Sequence, residues 1–192
     1  MREAILRKAR ESAAIKVAFF EEYADELETC VREMAARFRE GGRLWTFGNG
    51  GSSCDADHLA VEFTHPVIEK RRPLPAASLV HPATLTAIGN DTDFSRVFDE
   101  QLDLFARPGD MAIGVSTSGS SANVTRALRR ARAKRVLAIG FAGRDGGQMV
   151  DACDHCFIVK TWSAHRVQET HTALLHLIWD QLHVALGEED VL

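Results

Sequence analysis

Leu44-Trp45-Thr46-Phe47-Gly48-Asn49-Gly50-Gly51-Ser52-Ser53 changes pattern twice within ten residues. An apolar run too short for a helix meets a loop of Gly, Asn and Ser, and helical spacing resumes at about residues 54–64, the order expected of a strand feeding a helix. Upstream, residues 2–40 contain neither Gly nor Pro and place Phe20, Tyr23, Leu27, Val31, Met34 and Phe38 at helical intervals, so one long or two shorter helices precede Gly41-Gly42. Downstream, short apolar runs at 76–80, 111–115, 135–141 and 156–159 read as further strands. Helical stretches near 83–88, 94–105, 121–133, 147–151 and 165–186 separate or follow them.

Strands joined by helix-length connections imply a doubly wound α/β fold: a flavodoxin-like, five-stranded parallel sheet over residues 43–192 behind an N-terminal helical extension, residues 1–42. Ligands in such sheets sit at the carboxyl ends of the strands, which points to the loops after residues 47, 80, 115 and 141. Residues 66–75, with Pro at both ends and Glu69-Lys70-Arg71-Arg72 inside, read as an exposed loop.

The 192 residues are 45% apolar and 26% charged, with a net charge of −4, which suits one domain with its own core. That balance argues against nucleic acid as a partner, since neutralising phosphates takes a basic surface. No apolar run approaches the ~20 residues of a membrane span, and Arg2, Glu3, Arg7 and Lys8 interrupt the start where a signal peptide carries its apolar stretch. A cytoplasmic protein without a membrane partner is expected. Cys30, Cys54, Cys153 and Cys156 are too few for a disulfide framework. Cys153 and Cys156 have C-x-x-C spacing but lack a second ligand pair, so they read as packing thiols rather than a metal or redox pair.

Gly48-Asn49-Gly50-Gly51-Ser52-Ser53 and Ser116-Thr117-Ser118-Gly119-Ser120-Ser121 both follow an apolar strand and open a helix. Helix-start N–H groups favour an anion, glycine lets a ligand approach the backbone, and the second loop adds five hydroxyls without any Lys or Arg. Neither loop has the dinucleotide or P-loop pattern, so the pair suggests a phosphate monoester of a hydroxyl-rich molecule. His58 and Glu62 are one helical turn apart, as are Gln168, Thr172 and His176 on the last helix. Spacing alone leaves each histidine open to a packing role.

Gly48 to His58, Gly89-Asn90-Asp91, Ser116 to Val124 and Arg166 to His171 together resemble the sugar isomerase (SIS) family, in its heptose phosphate branch. The resemblance covers nearly the whole chain. It implies an aldose–ketose isomerase that converts sedoheptulose 7-phosphate to D-glycero-D-manno-heptose 7-phosphate through a cis-enediol(ate), with Glu62 as base and His176 as acid. It implies a metal site of His58, Glu62, Gln168 and His176 with one zinc ion per subunit. Phosphate is expected on Ser116, Thr117, Ser118 and Ser121, and sugar hydroxyls on Asn49, Gly50, Gly51, Ser52, Asp91 and Gln168. The helical extension is expected to assemble a homotetramer.

The chemistry asks for such groups: a carboxylate over C1–C2 to carry the proton, an imidazole for the oxygens, and a divalent cation to polarise the carbonyl. Glutamine is an unusual zinc ligand, and ligation competes with acid–base work for the same lone pairs. The chain departs from the family in two places. Pro66 stands where many members have a basic residue, and His165 where they have Asp, with Arg71, Arg72 or His65 available to replace the charge. Two alternatives follow, an isomerase of another phosphosugar and a non-catalytic SIS regulator of the replication-initiator-associating type. Members of that second branch lack the Glu and His that this chain keeps at 62 and 176.

Overall fold

With no helix breaker before Gly41, the N-terminal stretch forms one helix, α1 (Arg2–Arg39), about 57 Å long. The computed structural model describes residues 1–68 and 71–190. The first four turns of α1 are largely exposed, while Phe19, Tyr23, Leu27, Cys30, Val31, Met34, Ala35 and Phe38 are buried. The second half of this helix is therefore core, which corrects its reading as an assembly element alone.

Five strands follow: β1 (Leu44–Gly48), β2 (Ala76–Ser78), β3 (Met111–Ser116), β4 (Leu137–Gly143) and β5 (His155–Val159). All neighbours run parallel in the order β2-β1-β3-β4-β5, as expected of the flavodoxin-like fold. Every residue of β3 and β4 is buried, the mark of a sheet covered on both faces. After β1 the chain turns to one side for β2 and returns to the other for β3, so the loops after β1 and β3 diverge and leave a crevice between them.

The helices are α2 (Gly51–Thr64), α3 (Pro82–Asp91), α4 (Asp99–Phe105), α5 (Ala122–Ala133) and α6 (Ala164–Ala185). Side chains alternate across the sheet and split the core in two. Leu44, Ile113, Val115, Ile139, Phe141 and Phe157 face α1, α2 and α6, whereas Phe47, Ala112, Ala138 and Ala142 face α4 and α5.

Several boundaries differ from the sequence reading. The 94–105 helix is broken into a 3-10 turn, Phe94–Arg96, and α4, because the Asp93 carboxylate accepts the Ser95 N–H and starts a separate turn. The 147–151 helix shrinks to a 3-10 turn, Gly147–Met149, with positive-φ glycines at its cap, Gly146, and at its first residue. The 135–141 strand shifts to β4, since Arg135 adopts φ 62° and ends a turn. Arg71 is not part of an exposed loop: it is buried and bonded to Asp180 of α6 (2.5 Å), with its guanidinium over the Trp179 ring. Glu69 and Lys70 lie outside the described residues. Among those described, no helix is long and apolar enough to cross a membrane.

Candidate active site

The crevice is walled by α2 and α6, which lie side by side and run the same way. Gly51 faces Gln168, Asp55 faces Thr172 and His58 faces His176. Each step advances both helices by about one turn, so residues spaced for one face of each helix meet in register. A Cβ on residue 51 would overlap the Gln168 amide, so glycine lets that amide lie where it does.

At the far end of this row, His58 Nε2 lies 3.2 Å from Glu62 Oε1 and 3.3 Å from His176 Nε2. The two rings meet edge to face at 4.9 Å. Glu62 and His58 are half-buried and His176 is exposed, so the cluster opens to one side. The three ligand atoms lie within 4.8 Å of one another. Zinc–ligand bonds of about 2.0–2.1 Å place tetrahedral ligands about 3.4 Å apart, close to the two separations made by His58, so this donor set suits the ion. Two imidazole nitrogens facing each other can share only one proton, which also suits a cation between them. Gln168 lies two turns before His176 on α6.

Asp55, which sequence reasoning passed over, is half-buried beside His58. Its Oδ1 accepts from Thr172 Oγ1 (3.4 Å), and its Oδ2 is buried without a partner. Burial pushes its carboxyl above the usual range, against the opposing pull of Thr172 and His58. Its i−3 spacing from His58 was the available signal.

The second loop closes the other side of the crevice. Ser116 Oγ lies 3.3 Å from Ser118 Oγ and 2.9 Å from Ser121 Oγ, so three hydroxyls converge at the start of α5, where unpaired N–H groups favour an anion. Thr117 is half-buried beside them. Two reciprocal amide bonds between Asn49 and Asn123, 2.8 and 2.9 Å, tie this loop to the first. Asn123 was not expected as part of the site. A buried Asn facing a half-buried Asn is visible only once the two loops are neighbours.

Ser52 is buried under the first loop, and Gly50 turns the backbone with φ 56°. Asp91 ends α3 in an exposed position and accepts from its neighbour Asn90. The substitutes suggested for the missing basic residue are engaged or displaced. Arg71 is bonded to Asp180, Arg72 faces Glu188 at 3.6 Å, and His65 is exposed past the end of α2.

Known proteins share this sequence pattern and fold. The SIS domain family matches residues 9–143. The phosphoheptose isomerase of Aquifex aeolicus is 40% identical over 179 residues, 93% of this chain and 94% of that one. That of Nitratidesulfovibrio vulgaris (strain Miyazaki F) is 41% identical over 178 residues, 92% of this chain and 86% of that one. The solved phosphoheptose isomerase of Neisseria gonorrhoeae superposes with a TM-score of 0.87 at 32% identity, covering 94% of this chain and 97% of that chain. The structure from Francisella tularensis gives 0.89 at 25% identity, covering 95% and 97%. Fold and paired Gly/Ser loops define a SIS-domain sugar isomerase, and the chain belongs to the phosphoheptose isomerase family within that class. It is an isomerase.

Proposed function

We propose that the chain converts sedoheptulose 7-phosphate to D-glycero-D-manno-heptose 7-phosphate in the crevice between the two loops. The observation that carries this reading is the meeting of His58, Glu62 and His176 on α2 and α6, the helices that wall the crevice. The phosphate is held by Ser116, Thr117, Ser118 and Ser121, and the hydroxyls by Asn49, Gly50, Gly51, Ser52, Asp91 and Gln168. A neutral set of hydroxyls and N–H groups suffices for the dianion, so the chain need not be basic.

Glu62 turns Oε1 toward His58, which leaves Oε2 to take the proton from C1 of the ketose. His176 gives a proton to the C2 carbonyl oxygen as the enediol forms and takes one from O1 as the aldehyde closes. Glu62 then returns its proton to C2. General acid–base help of this kind supplies about 10²–10⁴ in rate. His58, Glu62, Gln168 and His176 would hold a zinc ion, which when bound polarises the carbonyl and steadies the enediolate. One nitrogen cannot carry a metal and a proton together, so His176 serves as acid only with Nε2 free of the ion.

The open side at His176 and an apolar groove of about 580 Å³ between α1 and α6, lined by Phe20, Leu27, Val31 and Leu177, favour self-association, with a homotetramer as the assembly. The fold and substrate suit a cytoplasmic enzyme. A different phosphosugar is the second reading, favoured by Pro66 and by the engagement of Arg71 and Arg72 elsewhere.

The test is solvent deuterium exchange at C1/C2 of sedoheptulose 7-phosphate by zinc-loaded protein. Exchange is expected in the native chain. It is expected to fall by at least about 10²-fold in Glu62→Gln, with sugar phosphate binding retained. Binding without exchange in the native chain overturns the enzyme assignment for this sugar, and full activity in the variant removes Glu62 as base.

A further inference from the structure

Cys153 and Cys156 bracket the start of β5, and both sulfurs lie over Gly140 of β4. A Cβ at that glycine would be 2.5 Å from Cys153 Sγ and 3.5 Å from Cys156 Sγ. The neighbouring Cys156 thiol pushes Cys153 up, as does burial, and the Cys153 thiol draws Cys156 down against burial. Cys156 is also the more exposed of the two. A nucleophilic sulfur with a resolving thiol beside it is the arrangement that oxidation closes. No third His, Cys, Asp or Glu joins them in a metal-sized cluster among the described residues.

The pair is also connected to the site. The Met149 methyl packs at the same glycine: the Cβ built there would be 2.9 Å from Met149 Cε. Met149 N–H donates to the Gly119 carbonyl (3.0 Å), and the Ala152 N–H closes the intervening turn on Met149 O (2.9 Å). Gly147 lies so close to Ser120 Oγ and the Gly119 backbone that a Cβ there would overlap them. A change at the sulfurs thus meets the 3-10 turn Gly147–Met149, and that turn carries the middle of the hydroxyl loop.

We propose that Cys153 and Cys156 form a reversible disulfide that shifts the Ser116–Ser121 loop. The oxidant is a hydroperoxide. The Cys156 thiolate attacks a peroxide oxygen, so that an S–O bond forms, the O–O bond breaks and hydroxide leaves as water. The Cys153 thiol then gives up its proton and attacks the sulfenic sulfur; the S–S bond forms, the S–O bond breaks and a second water leaves. Two thiols lose two electrons, and one hydrogen peroxide becomes two waters. A dithiol reverses the change.

The full chain, treated with hydrogen peroxide and digested without reductant, tests it. The expected result is a peptide linking Cys153 to Cys156, lighter by two hydrogens and restored by dithiothreitol. Cys153→Ser should leave a sulfenic acid on Cys156 that dimedone captures. Recovery of both thiols free while the exposed Cys54 is oxidised overturns the pair. For the loop, amide hydrogen exchange at residues 116–121 should rise about threefold on oxidation and return on reduction, and unchanged exchange overturns the coupling. The consequence for turnover rests on the function proposed above: KM for sedoheptulose 7-phosphate should rise about threefold with kcat less affected. A chain inert toward that sugar contradicts the function alone, because mass and amide exchange decide the disulfide and the loop without turnover.

Discussion

His171 lies wholly inside, between α6 and β4, where its Nε2–H donates to the Ala142 carbonyl (3.0 Å). Burial pushes the ring down to about 4, since no buried anion offsets its charge. The folded chain therefore holds this ring neutral while the unfolded chain protonates it near 6.5. Between those values the unfolded state binds more protons, so stability falls as pH drops from about 6.5 to about 4, by up to about 3 kcal/mol from this group. Urea melts across that range are expected to show the loss, and His171→Asn should flatten the slope; an unchanged slope would assign it to other groups. The sequence placed His171 in a recognisable run but said nothing of its burial. His58 and His176 were ambiguous for the same reason: a histidine's role follows from what lies beside it, and residues 118 apart in the chain meet only in the fold.

The pairing of α2 with α6 is what turns two helical spacings into one site. Because Gly51 touches the Gln168 amide, Gly51→Ala inserts a methyl where the amide now sits. That amide is the far end of a flexible, half-buried side chain and swings away at little cost, so the variant should melt near the native urea concentration yet lose kcat/KM with its grip on Gln168. Unchanged kinetics would mean that Gln168 does not act from this position. The elements themselves were readable from the chain. All five strands and their parallel pairing follow from short apolar runs alternating with helix-length connections, and both Gly/Ser loops fall where strands feed helices. Boundaries were less readable where one residue reversed local preference, as Asp93 did by capping Ser95 and Arg135 by adopting a positive φ.

The long α1 belongs to two environments. Its second half fills the core, and its flank with α6 leaves the groove where the proposed second copy would dock. Ala24 lines that groove and is exposed, so Ala24→Arg should leave the subunit folded while setting a long charged side chain into the proposed contact. Sedimentation velocity is expected to show the assembly dissociating at concentrations at least about a hundredfold higher than for the native chain. An unaltered profile would place the interface elsewhere. Sheet class, most helices and the two loops were written in the local pattern of apolar, glycine and serine residues, because periodicity and turn chemistry act over a few neighbours, whereas the family was legible through its resemblance in whole motifs. Tertiary structure alone decided that His58, Glu62 and His176 share one face, that Asn49 pairs with Asn123, that Arg71 is committed to Asp180, and that two cysteines sit behind the hydroxyl loop. Each of those depends on contacts between distant segments, which the register of parallel strands and the packing of helices over them bring into reach.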